Sequence, residues 1–190
     1  MVVGRGMSAL SEIDRRLALL ARTRAHAPRA ERAVAALSRM GEHGAVWLAL
    51  GMAGQLLDRP RAARWRRAQG SVICAYALNT ALKLLVRRRR PTFPGHPALT
   101  STPTDLSFPS AHAATSFAGA LAYSRLGVAP GVLYGLAAGL AVSRLYLGVH
   151  HPSDVLAGAL LGSALAARLT RHDGTAVARR TRGAPAVGAR

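Results

Sequence analysis

The chain has 190 residues, half of them apolar, so it can bury one core but not two independent ones. Its 26 Lys and Arg face only eight acidic residues, and the formal charge of +18 implies an anionic partner: nucleic acid, an anionic membrane surface or a phosphorylated substrate. A single cysteine, Cys74, excludes an intrachain disulfide and a multi-cysteine metal site, and a low aromatic content with abundant Ala, Leu and Val favours helix over sheet.

Residues 1–20 place Glu12, Asp14, Arg15 and Arg16 where the apolar core of a cleavable signal peptide would lie, so no such peptide is expected. Residues 8–42 mix Leu and Ala with many Arg and are interrupted at Pro28. This pattern predicts two amphipathic helices, capped at Ser8 or Ser11, on the membrane surface or along the side of a bundle, or else a solvated helical arm. In either form the region has no catalytic part.

Five apolar stretches follow, at 43–57, 68–86, 111–126, 129–147 and 152–169. Each is close to the roughly 20 residues a membrane span needs, once flanks are added. Gly119, Gly135, Gly139, Gly158 and Gly162 would weaken helices in water but permit close packing in lipid. The expected fold is all-α: an integral-membrane bundle of about five transmembrane helices over 43–169, preceded by amphipathic helices and followed by a basic, mobile tail over 170–190. Cys74, inside the second stretch, is expected to be a small buried hydrophobe. The Arg-rich connection 58–67 and the Arg-rich tail are assigned to the cytoplasmic side, which puts the loops 87–110 and 148–151 on the outer face.

Polar residues concentrate at the ends of these stretches. Lys83 precedes Arg87, Arg88, Arg89, Arg90 and Pro91; Ser107, Pro109, Ser110 and His112 open the third stretch. Ser143 and Arg144 lie near the end of the fourth, and His150, His151, Ser153 and Asp154 lead into the fifth. Alternating topology brings all four groups to one membrane face. Lys83, Arg87 and Arg90 are spaced to share a helix stripe that Pro91 ends. His150 and Asp154 are four apart, so the carboxylate can hold one imidazole nitrogen and free the other for attack. Ser110 and the amides after it form a helix start suited to an anion. This inventory fits phosphoryl transfer, with one histidine attacking and a second protonating the departing oxygen. Cationic neighbours oppose a metal ion, and neither metal nor cofactor is expected.

Three of these clusters resemble the motifs of the type 2 phosphatidic acid phosphatase (PAP2) superfamily: KLLVRRRRP from Lys83 to Pro91, PSAH from Pro109 to His112, and SRLYLGVHHPSD from Ser143 to Asp154. The resemblance implies that His150 is the nucleophile, Asp154 its orienting carboxylate and His112 the general acid. It also makes Lys83, Arg90, Arg144, Ser110 and the Ala111 and His112 amides the phosphate ligands. Ala111 stands where the family usually has Gly, which is harmless only in right-handed helical geometry. The substrate implied is an amphiphilic phosphorylated lipid at a bacterial cytoplasmic membrane.

The similarity to small bacterial members, with an Ala- and Arg-rich composition pointing to an actinobacterial source, narrows the substrate to a polyprenylphosphoryl sugar phosphate such as decaprenylphosphoryl-5-phosphoribose. Polyprenyl pyrophosphate, phosphatidic acid and phosphatidylglycerophosphate are the alternatives, with a transporter or structural membrane protein as the non-enzymatic one. Anionic membrane lipids are expected partners. Nucleic acid is not, because the Arg tracts flank apolar spans and lack stacking aromatics. His151 is expected on the pocket wall or at the interface and Asp105 as a cap or rim residue, while at least one of Arg87 to Arg89 should face headgroups or solvent. Phe93, His96 and Phe108 either line the entrance or pack the loop; Tyr76 and Asn79 pack between helices, and Tyr146 anchors an interface. Oligomeric state is not readable from these patterns.

Overall fold

The computed structural model describes residues 3–171; of the expected tail, everything from 172 on lies outside the described residues. Seven α-helices follow one another: α1 Val3–Thr23, α2 Pro28–Met40, α3 Ala45–Leu57, α4 Ala62–Val86, α5 Ala111–Ser124, α6 Pro130–Tyr146 and α7 Pro152–Leu169. Short 3-10 turns at Glu42–Gly44 and Arg59–Arg61 lead into α3 and α4. Among the described residues there is no strand, only an isolated bridge between Arg89 and Leu106. The five apolar stretches thus correspond to α3 to α7, and Pro28 opens α2 at its first turn, where a missing N–H costs nothing.

The central helix is α5, packed against α7, α4 and α6. Its close approach to α7 depends on Gly158 and Gly162, where a Cβ would collide with the backbone oxygens of Ser110 and Ala114. On the other side, Gly119 leaves room for the Trp47 ring. The indole Nε1 of Trp47 donates to Ser116 at 3.0 Å, and the Tyr123 hydroxyl donates back to the Trp47 carbonyl at 2.8 Å. Trp65 stacks on the same tyrosine, with ring centroids 5.5 Å apart. Gly135 and Gly139 do not serve this purpose: a Cβ would meet nothing at the first and only Leu37 at the second.

Many bulky aliphatic residues lie outside, while alanines fill much of the interior beside a few buried leucines such as Leu140 and Leu147. Leu57 is 88 % exposed, Leu85 77 % and Leu160 72 %, while Ala113, Ala114, Ala118, Ala120 and Ala122 are completely buried. Such a distribution suits a hydrocarbon surrounding, where close helix contact rather than solvent exclusion drives association. Cys74 lies on the exposed face of α4 and not in the core, because apolar character alone does not separate exposed from buried positions. Among the described residues, one helix is long and apolar enough to cross a membrane, Arg59–Val86.

The N-terminal helices depart from expectation. Neither Ser8 nor Ser11 caps α1, which already runs from Val3. The buried stripe of α1 is Asp14, Ala18 and Arg22, whereas Leu10, Ile13, Leu17 and Leu20 face outward. The helix turns its polar face inward because that face has partners there. Arg22 donates to the Pro97 carbonyl at 2.9 and 2.8 Å, and Asp14 accepts from the Ser153 amide at 2.9 Å. The bend between α1 and α2 is fixed on α6, where His26 stacks on Tyr146 at 3.9 Å and the tyrosine hydroxyl donates to Ala25.

Candidate active site

The end of α4, the start of α5, the end of α6 and the start of α7 meet at one end of the bundle. A cavity of about 450 Å³ lies between them, lined among others by Lys83, Arg90, Ala111, His112, Arg144 and His150. All three sequence clusters therefore reach one site, although not by the route their spacing implied. The α4 helix ends at Val86, where Arg87 adopts a left-handed conformation at φ 55°, so Arg87 to Arg90 do not extend the Lys83 stripe. Arg90 enters instead from an extended loop. Its backbone amide donates to Asp105 at 3.0 Å, its Nε to Thr104 at 2.9 Å and its Nη1 to Val149 at 2.7 Å. The same Nη1 lies 3.3 Å from Nε2 of His150. Lys83 donates to the carbonyls of Leu106 and Ser107 at 3.1 and 3.3 Å, tying the loop to α4.

His150 sits on the turn between α6 and α7, preceded by Gly148 at φ 73°. A side chain at Gly148 would be strained by that angle and would also meet Arg22 at 2.8 Å. The imidazole Nδ1 of His150 lies 3.5 Å from Oδ2 of Asp154. Burial pushes the His150 imidazole down to about 3, with Arg90 and Arg144 acting in the same direction and Asp154 opposing them. The ring is therefore neutral near pH 7 and its Nε2 lone pair faces the cationic side of the site. Burial likewise lowers the Arg90 guanidinium from its ordinary value.

Asp154 stands at the first turn of α7, completely buried. Its Oδ2 accepts from the His151 amide at 2.9 Å in a capping box, and the His151 ring lies 3.3 Å away. This sets His151 behind the carboxylate and off the cavity wall. The other oxygen, Oδ1, accepts from Arg88 at 2.8 Å. Arg88 in turn donates to Asp14 of α1 at 2.6 Å and to Ser153 at 2.6 Å. One arginine of the basic run thus holds a carboxylate and does not line the cavity, and it links the N-terminal helix to the site.

The second unforeseen contribution comes from α2. The Ser38 carbonyl lies 3.0 Å from Nε2 of His112, and its hydroxyl accepts from Arg144 at 2.7 Å. A carbonyl only accepts, so Nε2 of His112 carries the hydrogen and Nδ1 is the nitrogen left to exchange a proton. The Cβ-less Gly41 lies against the same ring: a Cβ there would stand 2.8 Å from Cδ2 of His112. The N-terminal helices, read as a bystander, therefore position groups on both sides of the site. Asp14 in the midst of an Arg-rich amphipathic helix was the available signal.

Ser110 opens α5 as its N-cap residue, its amide donating to the Asp154 carbonyl at 2.9 Å. Ala111 is the first helical residue and is absent from the positive-φ positions, so alanine costs nothing there. Among the described residues, the buried side-chain atoms without a partner are Ser110 Oγ, Arg144 Nε, His150 Nδ1 and both amide atoms of Asn79. All four residues belong to this site or its wall. His150 Nδ1 faces Asp154 at 3.5 Å, just beyond a close bond; the others are unpaired buried polar atoms, which are rare and costly and, when clustered, mark where a polar ligand completes the bonding. Tyr76 and Asn79, expected to pack between helices, line the cavity, whereas Phe93, His96 and Phe108 do not.

The sequence model of the PAP2 superfamily matches residues 66–177. The decaprenylphosphoryl-5-phosphoribose phosphatase of Mycobacterium tuberculosis (strain CDC 1551 / Oshkosh) is 40 % identical over 131 residues, covering 69 % of this chain and 73 % of that protein. Among solved structures, Aquifex aeolicus LpxE has the same fold, with a TM-score of 0.72, 24 % identity and 83 % and 94 % of the two chains covered. So has the transmembrane PAP2-type phosphatidylglycerolphosphate phosphatase of Bacillus subtilis, with a TM-score of 0.73, 22 % identity and 88 % and 87 % covered.

Proposed function

The chain belongs to the PAP2 superfamily, and from that premise we propose that it removes the terminal phosphate of a polyprenylphosphoryl sugar phosphate, such as decaprenylphosphoryl-5-phosphoribose. It is a lipid phosphate phosphatase. The observation that carries the reading is the convergence of three separated motifs on one cavity that holds unpaired buried donors. The 40 % identical mycobacterial phosphatase supports the substrate.

The terminal phosphate sits among Lys83, Arg90 and Arg144, with the Ser110 hydroxyl and the first amides of α5 as further donors. Neutral His150 attacks phosphorus through Nε2, forming a nitrogen–phosphorus bond as the bond to the sugar oxygen breaks. Asp154 stabilises the imidazolium that develops by holding Nδ1–H. His112 enters the step as the imidazolium, protonated beside the bound phosphate anion with one hydrogen on each nitrogen; it gives the Nδ1 proton to the departing alkoxide and then takes one from water. That hydroxide displaces the phosphate from His150, and the enzyme returns to its starting protonation.

The bundle crosses the bacterial cytoplasmic membrane five times through α3 to α7, with α1 presenting Leu10, Ile13, Leu17 and Leu20 to lipid and Arg side chains to anionic headgroups. The site opens at the outer face, since Arg59, Arg61, Arg64, Arg66 and Arg67 cluster at the opposite end. Single cysteines at Ser101 and Arg59, in a Cys74→Ser background, should label from outside and inside respectively.

The deciding assay is phosphate release by purified wild type and His150→Ala, with EDTA present, on polyprenylphosphoryl pentose phosphate, polyprenyl pyrophosphate, phosphatidic acid and phosphatidylglycerophosphate. The sugar phosphate should be hydrolysed best and only by wild type. Equal release by the variant would remove His150 from the mechanism, and preference for another lipid would replace the substrate.

A further inference from the structure

A phosphate group fills only one end of the cavity. Lys83, Arg90 and Arg144 make that end cationic, and His112 and His150 flank it. The remaining wall has a different chemistry and includes Glu42, Asn79, Thr80, Thr102 and His43, whose Nδ1 lies 2.8 Å from the Tyr76 hydroxyl. Two of these are anomalous beside an anion site. Glu42 brings a carboxylate into the same cavity as the three cations. Asn79 is completely buried on α4, one helical turn before Lys83, and neither its amide nitrogen nor its amide oxygen has a partner. A leucine would fill that space without leaving polar atoms unpaired.

Both anomalies disappear if the group next to the phosphate is a polyol. An amide presents an acceptor and donors together, and neighbouring hydroxyls can satisfy both. An anionic phosphate oxygen satisfies only the donors and faces the amide oxygen with repulsion. Glu42 discriminates more sharply. Beyond the ester oxygen of a sugar phosphate lie an uncharged carbon and hydroxyls, which donate to a carboxylate. Beyond the bridging oxygen of a pyrophosphate lies a second charged phosphoryl group, which a carboxylate repels.

We propose that Glu42 and Asn79 determine leaving-group specificity, binding the hydroxyls of a sugar ring and turning away a second phosphate. The inference rests on the phosphatase reading of this site and deepens it by naming which residues choose between the two lipid classes. It predicts a change in selectivity with no change in the phosphate-binding end.

The test compares kcat/KM for a polyprenylphosphoryl pentose 5-phosphate and a polyprenyl pyrophosphate of the same tail, in detergent-purified full-length wild type, Glu42→Gln and Asn79→Leu. Glu42→Gln should raise the pyrophosphate value about tenfold and lower the sugar-phosphate value severalfold, as expected for one removed repulsion in a partly solvated cleft. Asn79→Leu should lower the sugar-phosphate value about tenfold or more, because hydroxyls that enter the site lose their partners, and leave pyrophosphate within about threefold. If either variant changes both substrates by the same factor, its residue does not select the leaving group. Glu42 is exposed, so Glu42→Gln decides the matter even if Asn79→Leu does not fold. A wild type that prefers pyrophosphate refutes the sugar-phosphate reading above, while the change of ratio in Glu42→Gln still judges this inference. A folded wild type inactive on both lipids overturns both.

Discussion

Arg88→Ala separates the N-terminal helix from the site without altering a residue that lines the cavity. The guanidinium makes three close contacts: 2.8 Å to Asp154, 2.6 Å to Asp14 and 2.6 Å to Ser153. Its removal leaves Oδ1 of a completely buried carboxylate with no cation, a change that costs about 3–5 kcal/mol when a buried pair is broken. The Arg88 side chain is 28 % exposed, so water can partly replace it and the lower figure of about 3 kcal/mol applies. Were that loss expressed wholly as misorientation of Asp154 and His150, kcat would fall about 150-fold. Part of it will fall on stability, and the expected result is a kcat about 30- to 100-fold lower with KM within about threefold. Arg88→Lys, which keeps the charge but not the fork, should recover part of the loss. Asp14→Asn added to Arg88→Ala should cost little more, since both act through one link. The assay is steady-state phosphate release, with detergent gel filtration to show that each variant is folded. A folded Arg88→Ala whose kcat stays within about threefold of wild type, or whose defect lies in KM alone, would refute the coupling.

Gly41→Ala puts a Cβ 2.8 Å from the His112 ring, at a backbone φ of −88° that alanine tolerates, so kcat should fall about tenfold while thermal unfolding moves by only about 1 kcal/mol. Gly162→Val drives a side chain into the Ala114 carbonyl, which cannot rotate away; a loss above about 3 kcal/mol is expected, visible as aggregation on detergent gel filtration. Acid stability should depend on His150. Its folded pKa is held down to about 3, so between about 6.5 and 3 the unfolded state binds the extra proton and stability falls as pH falls. From pH 7 to pH 5 this removes about 2 kcal/mol from wild type, and His150→Gln should lack that loss in thermal scans at the two pH values.

The apolar stretches identified α3 to α7 because a hydrophobic run bounded by charge or proline is a local property, and the three motifs named the residues around the cavity because they lie where helices end. Ala111 shows the limit of that reading. Its tolerance depended on a backbone angle that only the helix start at Ser110 fixed. The same limit hid Arg88 among four successive arginines. Which of them reaches a carboxylate is decided by the left-handed turn at Arg87 and by Asp14, 74 residues away. Likewise, Ser38 meets His112 and Arg144 only because α2 packs on α6, and Cys74 faces outward although its neighbours in sequence are as apolar as core residues. Sequence alone determined the chemistry available and the ends of the chain segments that carry it. Tertiary structure decided which polar atoms are paired and which remain free for a ligand, since those pairings join residues far apart in the chain and depend on helix contacts that no local pattern encodes.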